Sequence, residues 1–157
     1  MSKKSKRKTP FSVLAPHPSK RPFFGAQPDS RKLPVAAPTP SFNDQFPSWR
    51  VARLELVDPF GFHIVSGALL LEIREKLAHF EAKTWNEILI REKHRNHTVS
   101  VSEICNSARE RLKAMNLDDI EEVVSLRLTG PQRVWGYRIE AVFHVLWWDP
   151  QHKVYGR

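Results

Sequence analysis

Proline is concentrated at one end of this chain, and that distribution limits what the first third can fold into. Nine of the twelve prolines lie in residues 1–47, where nine basic residues stand against two acidic ones, while residues 48–157 hold sixteen basic and fifteen acidic residues. Proline removes a backbone donor and fixes φ, and a strongly charged segment has little apolar surface to bury. The sequence therefore predicts a disordered basic leader over residues 1–47 and one folded domain over residues 48–157.

The basic residues of the leader form clusters that suit contact with a polyanion. Each cation on a flexible chain can displace a counterion from a phosphate backbone. We therefore predict that these clusters bind nucleic acid; the alternative is a leader that keeps the protein soluble or that folds on a partner, and composition alone does not separate these. The residues concerned, together with two basic residues near the other end of the chain, are Lys3, Lys4, Lys6, Arg7, Lys8, Lys20, Arg21, Lys153 and Arg157.

Cysteine content and hydropathy indicate the cellular compartment in which the protein is expected. Cys105 is the single cysteine, so the chain cannot form an internal disulfide, which excludes the small disulfide-rich secreted class. No apolar run approaches the roughly 20 residues of a membrane-crossing helix. The basic start resembles the first part of a signal peptide, but Pro16 and Pro18 interrupt the apolar stretch that follows it. We therefore expect a cytoplasmic protein that makes no contact with a membrane.

Capping residues and apolar stripes predict three helices in the folded region. Ser66 stands before an apolar stripe of helical spacing. Two later pairs have the spacing of a capping box, in which side chains meet the backbone N–H groups left free at a helix start, namely Thr84 with Glu87 and Ser100 with Glu103. The predicted helices run from Ser66 to about Glu81, from Trp85 to about Arg91 and from Ser100 to about Asn116.

Alternation of apolar and polar residues predicts the strands. They cover residues 49–57, 124–128, 133–139 and 142–148. The first strand must pair with the later three, because a lone strand leaves its hydrogen-bonding groups unsatisfied. The sequence therefore predicts an α+β domain, in which an antiparallel sheet of the N-terminal strand and a C-terminal three-stranded meander carries two to three helices on one face.

Two arginines are the strongest candidates for chemistry. Arg127 and Arg133 flank a Gly-Pro turn, so they can approach each other across a hairpin. A guanidinium binds phosphate oxygens in a bidentate fork and keeps its charge, which suits stabilisation of the dianionic phosphorane of RNA cleavage. The alternative for both arginines is an ion pair with a nearby carboxylate, Glu121, Glu122 or Asp149.

The histidines differ in where the sequence pattern places them. His152 lies beyond the last strand, where it can reach solvent and transfer a proton, although a surface histidine without a role is the alternative. His144 lies within an apolar strand and is predicted to be an interior residue. His94 and His97 with Glu92 resemble half of a metal site, but no second ligand cluster follows, so we predict a loop and no metal.

The last third of the chain resembles toxins of the RelE/ParE type. The segments that carry the resemblance are Leu126–Leu128, Arg133–Arg138, Val142–Trp148 and His152–Tyr155. They give an arginine-bearing strand, a second strand with arginine near its start, an apolar third strand and a short basic segment that closes on tyrosine. The inferred order of strand, helices and three-stranded meander is also the order of that family.

This resemblance implies a toxin that an antitoxin protein neutralises, acting as a ribosome-dependent mRNA endonuclease or as an inhibitor of DNA gyrase. It places Arg127 and Arg133 at the anion-stabilising positions and His152, Lys153 and Tyr155 at the acid–base positions. The implied chemistry uses no metal and no cofactor. The partners it implies are RNA or the ribosome and a cognate antitoxin.

A binding protein without catalysis is the alternative function. A sheet with helices on one face leaves its other face free to bind a component of replication or translation. Trp135, Tyr137 and Trp147 are then the aromatic anchors of that surface. If these three side chains lie in the core instead, the alternative loses its contact surface.

Overall fold

Five strands form one mixed sheet in the computed structural model, which describes residues 39–156. The strands are β1 (Ser48–Arg50), β2 (His97–Ser100), β3 (Glu122–Arg127), β4 (Arg133–Ile139) and β5 (Val142–Asp149). Their order across the sheet is β1-β5-β4-β3-β2. β1 runs parallel to β5, and every other neighbouring pair is antiparallel. The predicted α+β class is confirmed, and the first strand pairs with the meander as expected, but the sheet is mixed and not antiparallel throughout because β1 runs parallel to β5.

Two α-helices and one π-helical turn pack against this sheet. They are α1 (Gly67–Glu81), the π-helical turn (Glu87–Arg91) and α2 (Asn106–Ala114). Ser66 caps α1 as predicted, because its hydroxyl accepts a hydrogen bond from the Leu69 backbone N–H at 3.3 Å. None of the helices within residues 39–156 has the length and apolar character needed to cross a bilayer.

The two predicted capping boxes have different outcomes. Thr84 and Glu87 form one: Glu87 Oε2 accepts from the Thr84 backbone N–H at 2.9 Å, and Thr84 Oγ1 accepts from the Glu87 backbone N–H at 3.3 Å. These hydrogen bonds hold the pKa of Glu87 below its usual value. Ser100 instead ends β2, and α2 begins only at Asn106. The helix predicted from Ser100 is wrong over residues 100–105, because Ser100 pairs with β3 and the helix starts only after the turn that follows.

Helices cover both faces of the sheet, which corrects the prediction of a single covered face. On the α1 face, the core contains Ile73, Phe80, Trp85, Ile88, Val124, Leu126, Val134, Phe143, Val145 and Trp148. On the α2 face, it contains Phe60, Val99, Ile104, Ala108, Leu112, Leu117, Val123, Trp135, Leu146, Trp147 and Val154. Neighbouring residues of β4 therefore enter different cores, as expected of a central strand buried on both sides.

Burial of the tryptophans removes the contact surface of the alternative function. Trp135 and Trp147 are both 0% exposed, because α2 and Phe60 close over this face of the sheet. Tyr137 is half-buried and stacks on the ring of His144, with 4.5 Å between the ring centroids. The prediction of aromatic anchors on an open sheet face is therefore wrong.

The first strand is shorter than the predicted segment 49–57. After β1 ends at Arg50 the chain turns, and Glu55 points inward with 8% exposure. Its Oε2 accepts hydrogen bonds from Arg111 Nε at 3.0 Å and Nη2 at 2.8 Å. This ion pair with α2 overrides the alternating pattern, and Leu56, which that pattern predicts to be buried, is 60% exposed.

The folded region begins before the predicted boundary at Ser48. Asn43 Oδ1 accepts a hydrogen bond from Arg138 Nη1 at 2.7 Å, and the carbonyl of Gln45 accepts from the Trp85 backbone N–H at 3.0 Å. These contacts join the segment before β1 to the domain. The basic leader residues before position 39 lie outside the described residues, as does Arg157.

Candidate functional site

The turn between β3 and β4 brings two arginines to one end of the sheet. Arg127 and Arg133 are register partners, as the hairpin prediction requires. The carbonyl oxygen of Gly130 accepts from Arg127 Nε at 3.1 Å and from Arg133 Nη1 at 3.0 Å. Gly130 has a φ of +52°, which side-chain-bearing residues rarely adopt, so glycine is required where this carbonyl is presented. One carbonyl thus fixes both guanidinium groups.

Arg133 carries a largely buried charge that forms no ion pair among residues 39–156. It is 8% exposed, its Nε is buried with no hydrogen-bond partner among those residues, and it lies opposite Asp149 in the register of β4 and β5. Within residues 39–156, neither arginine forms an ion pair, so the alternative of a salt bridge to a nearby carboxylate is not observed. Burial and the charge of Arg127 lower the pKa of Arg133, while Asp149 opposes that shift. Two like charges held together in this way are complementary to an anion.

Asp149 positions the segment that follows β5. Its side chain is 1% exposed, and its carboxylate accepts from the backbone N–H groups of Lys153 and Val154, each at 2.9 Å. Val154 is itself fully buried in the core of the α2 face. The carboxylate therefore folds the chain end back over the sheet, which brings His152 and Tyr155 to the end where the arginines lie. The side chain of Lys153 remains exposed.

His97 completes this arrangement, and sequence reasoning missed it. It begins β2, and its ring lies edge-on to that of Tyr155, with 6.0 Å between the centroids. Burial lowers the pKa of His97, and the charges of His152 and Arg133 lower it further. His97 therefore lies in a strand and not in the predicted loop. The sequence pattern that indicates this strand is the alternation across residues 97–100. The capping-box spacing that begins at Ser100 favours a helix instead.

His152 is held toward its neutral form. Its Nε2 is buried and has no hydrogen-bond partner in the described part of the chain. Burial lowers its pKa most, and the charges of Arg133 and Arg127 add to the effect, while Asp149 opposes it. A neutral imidazole can accept a proton, and a charge on either His97 or His152 disfavours a charge on the other. The two histidines therefore suit the transfer of one proton at a time.

These residues form one cluster at the end of the sheet. We call Arg127, Arg133, His97, His152 and Tyr155 the arginine–histidine cluster. All four residues predicted as catalytic belong to it, although they come from two strands and from the segment after β5. Its guanidinium groups supply fixed positive charge, and its imidazole and phenol groups can accept or donate protons. Among the described residues, no three His, Cys, Asp or Glu side chains are grouped to hold a metal ion.

Comparison with known proteins gives no match. No protein-family model matches the chain, and neither a curated protein nor a solved structure matches it.

The lowered histidine pKa values predict a loss of stability in mild acid. Burial is the largest cause for His97, His144 and His152 alike. As the pH falls through the ordinary histidine value of 6.5, the unfolded chain takes up protons that the folded protein does not, until the lower folded pKa is reached. We expect the melting temperature to fall between about pH 7 and pH 5.

Circular dichroism melts at constant ionic strength measure this dependence. The matched variant carries His97→Asn and His152→Asn, and it should show a shallower decline because it lacks two of the three groups. A melting temperature that rises over the same pH range contradicts the prediction.

Proposed function

We propose that this protein is an endoribonuclease that cleaves RNA without a metal ion, with the arginine–histidine cluster as its active site. The observation that carries the proposal is the buried Arg133 guanidinium, which lies beside Arg127 and has no carboxylate partner among residues 39–156. Burying an unpaired charge costs free energy, and an anion that enters the cluster offsets this cost. The phosphodiester of RNA is such an anion, and its neighbouring 2′-hydroxyl is an internal nucleophile.

The cluster contains each group that this cleavage requires. The imidazole of His152 accepts the proton of the 2′-hydroxyl, and O2′ attacks phosphorus. Arg127 and Arg133 stabilise the two negative charges of the phosphorane. As the bond from phosphorus to O5′ breaks, the phenol of Tyr155, whose ring lies against that of His97, donates a proton to the leaving oxygen. The products are a 2′,3′-cyclic phosphate and a 5′-hydroxyl, so atoms and protons balance.

The resemblance to RelE/ParE toxins supports this function and suggests partners. The resemblance implies a strand, helices and a three-stranded meander; the fold has β1, α1 and the meander β3–β5, with β2 and α2 between α1 and the meander. We propose that the protein acts in the cytoplasm on mRNA at the ribosome and that an antitoxin protein neutralises it. The basic leader, with Lys153 and Arg157, adds non-specific affinity for RNA, because each neutralised phosphate releases a counterion.

A cleavage assay tests the proposed function. The purified full chain is incubated with an end-labelled mRNA, either alone in EDTA or with ribosomes in a magnesium buffer, and the product ends are identified. We expect cyclic-phosphate ends and no cleavage at a position where the ribose is 2′-deoxy. The His152→Asn variant should lose about 10²–10⁴-fold in rate, as removal of a proton-transfer group does.

The matched control is His94→Asn, which changes an exposed histidine three residues before the cluster. It should cleave at the wild-type rate. Cleavage of the 2′-deoxy position at an undiminished rate contradicts the mechanism. Absence of cleavage under both conditions contradicts the endoribonuclease itself.

A further inference from the structure

A groove lined by basic side chains extends from the arginine–histidine cluster toward α1. It consists of two adjoining depressions of about 250 Å³ and 110 Å³, which share Arg95, Arg127 and Leu128 in their walls. The end of β3 forms one wall, and the second half of α1 forms the opposite wall. We call this feature the basic groove, after its lining residues Lys76, His79, Lys83, Arg95 and Arg127.

The contribution of α1 follows from helical spacing. Lys76 and His79 are three residues apart, so they lie on one face of the helix, and both are exposed. Lys83 follows the helix, and its ammonium lies 2.5 Å from Glu92 Oε1. A basic residue in the last turn of a helix also stabilises the helix dipole, which accounts for His79 without any ligand. Arg95 and Arg127 lie outside the helix, so the helix dipole does not account for them.

Asn96 fixes the position of Arg95. The Asn96 side chain is 1% exposed, and its Oδ1 accepts from the Arg127 backbone N–H at 2.9 Å. Its Nδ2 donates to the carbonyl of Ile88 at 3.4 Å. These bonds tie the loop before β2 to the end of β3. Arg95 and Arg127 consequently line the same depression.

Positive charge in the basic groove is largely unmatched. Glu92 provides the one carboxylate among the described lining residues, and Lys83 occupies it. Within residues 39–156, Lys76, Arg95 and Arg127 form no ion pair. The aromatic residue Phe80 is 5% exposed and belongs to the core of the α1 face. The groove therefore offers cations to a ligand and no open aromatic ring on which a base can stack.

We propose that the basic groove binds the backbone of single-stranded RNA beside the phosphate to be cleaved. Arg127 belongs to both the cluster and the groove. The placement of the RNA strand along the groove therefore rests on the proposed function. Arg95 and Arg127 line both depressions and Lys76 lines the second, so a strand that places one phosphate at Arg127 can place its neighbouring phosphates along the groove. The small depressions suit one strand, and contacts to phosphates alone make the binding tolerant of sequence and sensitive to salt.

Binding of a non-cleavable RNA tests the groove separately from cleavage. The probe is a short fluorescent oligoribonucleotide with 2′-O-methyl groups, titrated with the full chain at two salt concentrations and followed by anisotropy. The double variant Lys76→Ala with Arg95→Ala should raise the Kd about tenfold and flatten the log–log salt slope by about 1.4, which is about 0.7 for each lost phosphate contact. Residues 1–47 are present in wild type and in both double variants, so their contribution to RNA binding cancels in the comparison.

The control removes the same charge elsewhere through Arg50→Ala with Lys113→Ala, both of which are exposed and outside the groove. It should bind within about twofold of wild type, and both variants should melt as wild type does.

Equal Kd values and slopes for the two double variants overturn the groove, even if wild type cleaves RNA. A groove variant that binds less tightly while wild type cleaves nothing supports the groove and overturns the nuclease. If poly-glutamate at the same concentration of negative charge displaces the oligoribonucleotide, the assignment of the groove to RNA is overturned.

Discussion

The Arg133→Met variant should lose RNA cleavage by at least about 10²–10³-fold, the usual effect of removing a group that stabilises an anionic transition state. Arg133 is 8% exposed, and in the described part of the chain its guanidinium donates to two carbonyl oxygens but meets no carboxylate, so its charge is available to the phosphorane. Methionine fills a similar volume without the charge. Arg133 forms no ion pair within residues 39–156, so the variant also removes the cost of burying its charge.

The same variant should therefore melt at or above the wild-type temperature while its activity falls. Single-turnover cleavage rates and thermal melts, measured on one preparation, test both halves. Arg109→Met is the control, since this arginine lies on α2 and donates to the carbonyl of Ser102, outside the cluster. A parallel fall in melting temperature and activity indicates that Arg133 is structural.

The Asp149→Ala variant should have the largest effect on stability, a loss of about 3 kcal/mol or more in the free energy of unfolding. The carboxylate is 1% exposed and accepts backbone hydrogen bonds from Gln151, Lys153 and Val154. Removing it leaves these donors without their acceptor and releases the segment that carries Tyr155. Cleavage should fall as well, because that segment completes the cluster.

Urea unfolding followed by tryptophan fluorescence measures this loss. The Asp149→Asn variant keeps the shape and one acceptor oxygen, so its unfolding free energy should lie between those of wild type and Asp149→Ala. An unchanged midpoint for the alanine variant shows that the chain end is held by its apolar contacts alone.

Local sequence patterns predicted the parts of the fold that local interactions determine. β4 has the predicted bounds, β5 extends one residue beyond its prediction, and Ser66 caps α1 as expected. The errors occur where distant residues decide the structure. Glu55 is buried because Arg111 meets it from α2, and β2 exists because β3 offers an edge to pair with.

The same distinction applies to the candidate site. Arg127 and Arg133 were predictable because a short hairpin places them together. His97 was not, because its proximity to Tyr155 arises through the pairing of β2 with β3 and the return of the chain after β5. A single sequence contains no signal for such a long-range approach, and a basic neighbourhood at residues 91–95 favours the loop interpretation.

The parallel pairing of β1 with β5 has a consequence for the order of folding. Ser48 pairs with Val142, and most of the sequence of the domain lies between them. In contrast, β4 and β5 are joined by only two residues between Ile139 and Val142. The entropy lost on closing a loop grows with its length, so the hairpin can form before the distant strand docks. The N-terminal edge is then the last part of the sheet to assemble, after the turn that holds both arginines is already in place.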